Sequence, residues 1–87
     1  MVGWKVIYTQ RAQSDSLKLK AAGLKEKTIK LLDIILENPF TSPPHFEKLI
    51  GFDNVYSRRI NIKHRLVYEI IKSENTIKIL TMWTHYE

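Results

Sequence analysis

Residues 56–68 read YSRRINIKHRLVY, and the way this stretch folds decides the rest of the chain. Residues 56–60 form one β-prone run, residues 64–71 form a second, and the Asn61-Ile62-Lys63 segment between them has the composition of a turn. Two such runs joined this closely predict an antiparallel hairpin. The hairpin carries Arg58, Arg59, Lys63, His64 and Arg65, where a small protein most needs apolar surface. Either these side chains form a solvated edge that discourages aggregation, or they bind something anionic.

Strand alternation sends Arg58 and Arg59 to opposite faces. By parity Arg59 belongs with Arg65, although the turn can reset that relation. Arg65 precedes Leu66, Val67 and Tyr68 and so sits close to the apolar interior, where its guanidinium needs a partner. An ion pair with Glu47 or Glu69 would serve, and so would a phosphate.

Working outward, residues 76–84 and 46–49 read as further strands, separated from the hairpin by the turn-rich KSEN and GFDN. Upstream, Trp4, Val6 and Tyr8 alternate with Lys5 and Ile7 as in a half-buried strand. Thr9 can cap a helix whose inner face runs through Ala12, Leu19 and Ala22, with Gly23 as its stop. Leu24, Thr28, Leu31, Leu32, Ile35 and Leu36 follow at three- and four-residue spacing and predict a second helix over 24–37. Asn38-Pro39 ends it, because the residue before proline is pushed out of helical geometry. The expected fold is α+β, ordered β-α-α-β-β-β, with two helices packed across one face of a mainly antiparallel twisted sheet. The other face is left for function.

Composition sets the bounds. A chain of 87 residues with 44% hydrophobic residues predicts one domain, 1–87, with a modest core and no intrinsic disorder. It contains no cysteine, so neither disulfides nor a thiolate metal site can staple it, and a reducing cytoplasm is the simplest compartment. No apolar run reaches membrane-spanning length, and MVGWKVIYTQ alternates where a signal peptide would be continuously apolar. Lys and Arg outnumber Asp and Glu by 14 to 9, a formal charge of +5 that favours a polyanionic partner such as nucleic acid or an acidic protein.

Two more groups matter. The chain closes on THYE, so a strand that ends there delivers His85 and Tyr86 to the sheet margin. Histidine is the side chain whose ordinary titration falls near neutrality, which would suit His85 to acid or base work, though a lone histidine is more often inert. A three-residue loop, Ser73-Glu74-Asn75, would bring His85 to the face of Arg65, whereas a four-residue loop would separate them. Glu47 in FEKL is either an ordinary exposed glutamate or the third member of a set. Acid, arginine and histidine together can cleave RNA with neither metal nor cofactor. A base takes the ribose 2′ proton, arginine steadies charge at phosphorus, and an acid protonates the departing 5′ oxygen, leaving a 2′,3′-cyclic phosphate and sparing DNA.

FEKL at 46–49, YSRRIN at 56–61, HRLVYEI at 64–70 and the terminal Trp83, His85 and Tyr86 closely resemble the YoeB/Txe group of RelE-like toxins from bacterial toxin–antitoxin systems. The likeness covers nearly the whole chain. It implies a microbial RNase fold and an mRNA interferase that cuts message in the ribosomal A site. By the same resemblance Glu47 is the general base, Arg65 the transition-state arginine, His85 the general acid and Tyr86 a neighbour that arranges substrate. Arg59 and Lys48 match phosphate-binding cations, while Arg58 and His64 match either that role or one of support. The resemblance further implies a YefM/Axe-like antitoxin, operator DNA bound only as the toxin–antitoxin complex, and a homodimer. An acidic antitoxin segment is expected to wrap the basic toxin and displace the chain bearing His85 and Tyr86. Two departures stand out: Glu87 follows the His-Tyr pair, and Lys63 stands where some relatives carry an acid. The competing readings are a basic RNA- or ribosome-binding module without catalysis, and an antitoxin-dependent transcriptional corepressor.

Overall fold

The computed structural model describes residues 3–43 and 45–83. The order is β1 (Lys5–Tyr8), α1 (Gln10–Ala21), α2 (Lys25–Glu37), β2 (Phe46–Lys48), β3 (Val55–Arg59), β4 (Arg65–Ile71), a short 3-10 turn (Lys72–Glu74) and β5 (Thr76–Thr81). The α+β class stands, and all four late β-prone segments are strands. The three-residue β2 therefore adds one strand to the expected order.

The five strands lie in the order β1-β5-β4-β3-β2. Hairpins make β2–β3, β3–β4 and β4–β5 antiparallel, whereas β1 returns through the two helices and so pairs parallel to β5. Helix α1 begins where expected, with the Thr9 hydroxyl accepting the Ala12 N–H at 3.0 Å. It stops at Gly23, whose φ of +76° is open to glycine at little cost. Helix α2 buries Thr28, Leu31, Leu32 and Ile35, the stripe that its periodicity marks out. The core forms where Leu19, Leu31 and Ile35 meet Leu66, Tyr68, Ile70, Ile77 and Ile79 of the sheet. Each fully buried aliphatic side chain there stabilises the fold by about 1.5–3 kcal/mol.

Helix α1 departs from expectation at two positions. Ala22 is exposed as the helix C-cap, while Asp15, one turn after Ala12, is buried. Asp15 is tolerated there because its Oδ2 accepts the Met82 N–H at 3.1 Å, with Arg11 3.6 Å away.

The β4–β5 connection decides which side chains share a face. Ile71 pairs with Thr76, so four residues intervene, the arrangement expected to separate Arg65 from His85. A register shift then intervenes. Tyr68 pairs with Ile79 but Val67 pairs with Thr81, so Leu80 is passed over and the far half of the ladder recovers the other parity. Thr9 supports this bulge by donating its hydroxyl to the Leu80 carbonyl at 2.8 Å. No helix among the described residues is long and apolar enough to cross a membrane.

Candidate functional site

The helix-free face of the sheet is built in transverse rows. Glu47, Ser57, Val67 and Thr81 lie in one, each the registered partner of the next. Arg59 and Arg65 face each other in the next row, so the hairpin preserves the parity read from sequence. Like charges directly opposite on a sheet destabilise it. Glu47 relieves part of this: Arg65 Nη1 donates to Glu47 Oε1 at 3.0 Å, reaching over β3.

This contact joins two groups that sequence reasoning picks out separately. The Arg65 hydrogen bond, then its charge, hold the Glu47 carboxyl below the ordinary glutamate range, with His45 contributing less. The Glu47 side chain is 56% exposed and that of Arg65 20%, so the pair is open to solvent on the acid's side. His45 Nε2 approaches Glu47 Oε2 at 3.8 Å. His45 is not singled out by sequence reasoning, yet its position two residues before Glu47, at the entry to β2, was a usable signal.

Arg58 is placed differently from a phosphate-binding cation. It is 1% exposed, on the helix-covered face opposite Leu66. Its Nε donates to the Tyr68 hydroxyl at 2.9 Å, its Nη2 donates to the Pro39 carbonyl at 3.0 Å, and its guanidinium lies 4.7 Å from the centre of the Phe46 ring. Burial pushes the Tyr68 phenol up, against the opposing pull of Arg58, so the hydroxyl stays protonated and accepts. Support is the role that this geometry gives Arg58. Lys48 is exposed but alternates onto the face of Tyr56, away from Glu47 and Arg65. Arg59 is the exposed cation on the row of Arg65.

The exit of β5 reaches the same end of the sheet. Two residues beyond the Val67–Thr81 pair stand Arg65, the first residue of β4, and Trp83, just past the end of β5. His64, next to Arg65, stacks on the Trp83 ring with centroids 4.0 Å apart. His85 and Tyr86 lie outside the described residues, as does Glu87. The described groups thus bring together a carboxylate, a guanidinium that it neutralises and a second guanidinium opposite. That set can bind a phosphodiester and remove a proton beside it.

A family model described as a YoeB-like toxin of bacterial type II toxin–antitoxin systems matches residues 8–86. Among solved structures, a YoeB/ParE toxin from Agrobacterium tumefaciens is 27% identical with a TM-score of 0.84, over 94% of this chain and 99% of that one. The YoeB dimer from Staphylococcus aureus is 31% identical with a TM-score of 0.82, over 95% and 98% of the two chains. A YoeB–YefM complex from Staphylococcus aureus matches at 31% identity and a TM-score of 0.78, with the same coverage of 95% and 98%. No curated protein sequence gives a significant match.

Proposed function

Because the chain belongs to the YoeB-like toxins of bacterial type II toxin–antitoxin systems, we propose that it is a metal-independent endoribonuclease that cuts mRNA in the ribosomal A site. The observation that carries this reading is the Arg65–Glu47 pair at 3.0 Å with Arg59 opposite, on the face that the helices leave uncovered. Glu47 takes the proton of the ribose 2′ hydroxyl, and the 2′ oxygen attacks the adjacent phosphorus. Arg65, with Arg59, neutralises the charge that gathers on the phosphoryl oxygens. His85 gives its proton to the departing 5′ oxygen, so the products are a 2′,3′-cyclic phosphate and a free 5′ hydroxyl. Tyr86 arranges the substrate beside it.

The ion pair tunes this chemistry. While Arg65 is hydrogen-bonded to Glu47, the carboxylate is a weak base. A phosphate that draws Arg65 away removes that stabilisation and raises the basicity of Glu47 when substrate arrives. An exposed pair is screened by solvent and stabilises the fold little, so a phosphodiester can open it. The ribosome supplies what a small open site lacks, a fixed substrate geometry. A YefM-like antitoxin with an acidic segment is the proposed inhibitor, competing for the same cations.

Primer extension on translated mRNA tests the reading, with wild type, Glu47→Ala and His85→Ala compared in EDTA. Cleavage by wild type alone, with all three retained on ribosomes, is expected. Equal cleavage by the variants, loss in EDTA, or binding without any cleavage would reject the mechanism, the last in favour of a binding module.

A further inference from the structure

The hairpin between β3 and β4 holds His64 from both sides of its backbone. The His64 carbonyl accepts the Ile60 N–H at 2.8 Å and the Asn61 N–H at 3.2 Å. The Asn61 side-chain oxygen in turn accepts the N–H groups of Lys63 at 2.9 Å and His64 at 2.8 Å. With its main chain fixed in this way, His64 sends its ring across to the exit of β5. There Nδ1 lies 3.0 Å from the Trp83 carbonyl oxygen, and the imidazole stacks on the indole at an interplanar angle of 21°.

A carbonyl oxygen can only accept, so Nδ1 carries the hydrogen. In neutral imidazole this fixes the tautomer and leaves Nε2 without one. One residue thereby grips both the main chain and the side chain of Trp83. The last registered pair of the β4–β5 ladder is Val67 with Thr81. Beyond it, Asp15 takes the Met82 N–H and His64 takes the Trp83 carbonyl. Side chains from α1 and from the β3–β4 hairpin thus replace the ladder at the point where the chain leaves the sheet.

His85 follows Trp83 by two residues in the sequence. Arg65 follows His64 directly. The hairpin that presents the phosphate-binding guanidinium therefore also holds the start of the segment carrying the proposed acid. We propose that His64 is a positioning residue: its Nδ1–H and ring fix Trp83 near Arg65 and so anchor the root of the segment that bears the proposed acid. The proposal rests on the nuclease reading above and adds a residue that acts through another.

Two measurements test it. In nitrogen-15 NMR of the wild-type protein, neutral His64 should carry its hydrogen on Nδ1; a hydrogen on Nε2 overturns the tie without any variant being made. In single-turnover cleavage on programmed ribosomes, His64→Asn keeps a donor where Nδ1 stands, whereas His64→Gln moves it to the place of Nε2 and His64→Ala removes it. Misplacing a reacting group by about 1 Å costs up to about 100-fold. His64→Gln and His64→Ala should therefore slow the saturated rate by about 10- to 100-fold with half-saturation nearly unchanged, and His64→Asn should recover most of the rate. Cleavage by His64→Gln at the wild-type rate, no rescue by Asn, or a loss confined to binding each overturns the positioning role. A wild type that never cleaves rejects the nuclease reading and this role together, while the tautomer still reports the contact itself.

Discussion

Arg65 in β4 reaches over β3 to donate a 3.0 Å hydrogen bond to Glu47 in β2. The two groups proposed to act on one phosphodiester neutralise each other. A pair that is structural in its geometry is thus compatible with a site, provided that it is weak enough to open.

The first expectation concerns titration. Because the Arg65 hydrogen bond depresses the Glu47 pKa, replacing Arg65 with Met should raise the carboxyl midpoint, followed by carbon-13 NMR. The stabilisation from the pair is present above the ordinary glutamate titration and is lost as pH falls through the depressed value. An unchanged midpoint would mean that the pair is not populated in solution.

For catalysis, Glu47→Gln keeps the shape of the side chain but cannot accept the proton, and should slow cleavage on programmed ribosomes by about 10²- to 10⁴-fold. Arg65→Lys keeps charge but loses the planar fork, and should fall between wild type and Arg65→Ala. A Lys variant as slow as the Ala variant would show that fork geometry, not charge, supplies the whole effect.

Neighbouring arginines should behave in opposite ways. Arg58→Ala strands the Pro39 carbonyl and the Tyr68 hydroxyl in the interior, and should lower stability in urea by about 3 kcal/mol. Arg59→Ala removes an exposed charge from a repulsive pair, and should leave the urea midpoint within about 0.5 kcal/mol while reducing the salt dependence of RNA binding. If the two substitutions cost the same stability, the assignment of faces is wrong.

Asp15 offers a test of the strand anchor. Asp15→Ala leaves the buried Met82 N–H without an acceptor and should cost about 1–3 kcal/mol in urea unfolding, whereas Asp15→Asn retains a carbonyl oxygen and should cost less. Equal losses would point to charge, through Arg11 and Lys18, as the stabilising factor.

Some of this was open to reading in the sequence and some was closed to it. Strand alternation is local, so the split of Arg58 from Arg59 could be read directly and the α2 stripe follows from helical periodicity in the same way, whereas the shared face of Arg59 and Arg65 hung on the turn between them. The same alternation puts Lys48 on the face opposite Glu47, a fact that family likeness obscured. Arg58 could not be placed, because its acceptors come from Pro39 and Tyr68, 19 and 10 residues away. Asp15 was harder still, since its partner lies 67 residues along the chain. The shift at Leu80 leaves no mark in a strand apolar on both parities, yet it decides which residues of β5 share the row of Arg65.

The parallel pairing of β1 with β5 bears on how the toxin is made. Lys5 is registered against Thr76, so a nascent chain translated only to Asn75 has no neighbour for β1, and Asp15 has no strand end to anchor. Its sheet cannot close until one of the later segments slots between two others already waiting, a slow, non-local step. Completion of the fold is therefore timed by topology: the sheet is finished only once β5, the last strand to be made, lies between β1 and β4.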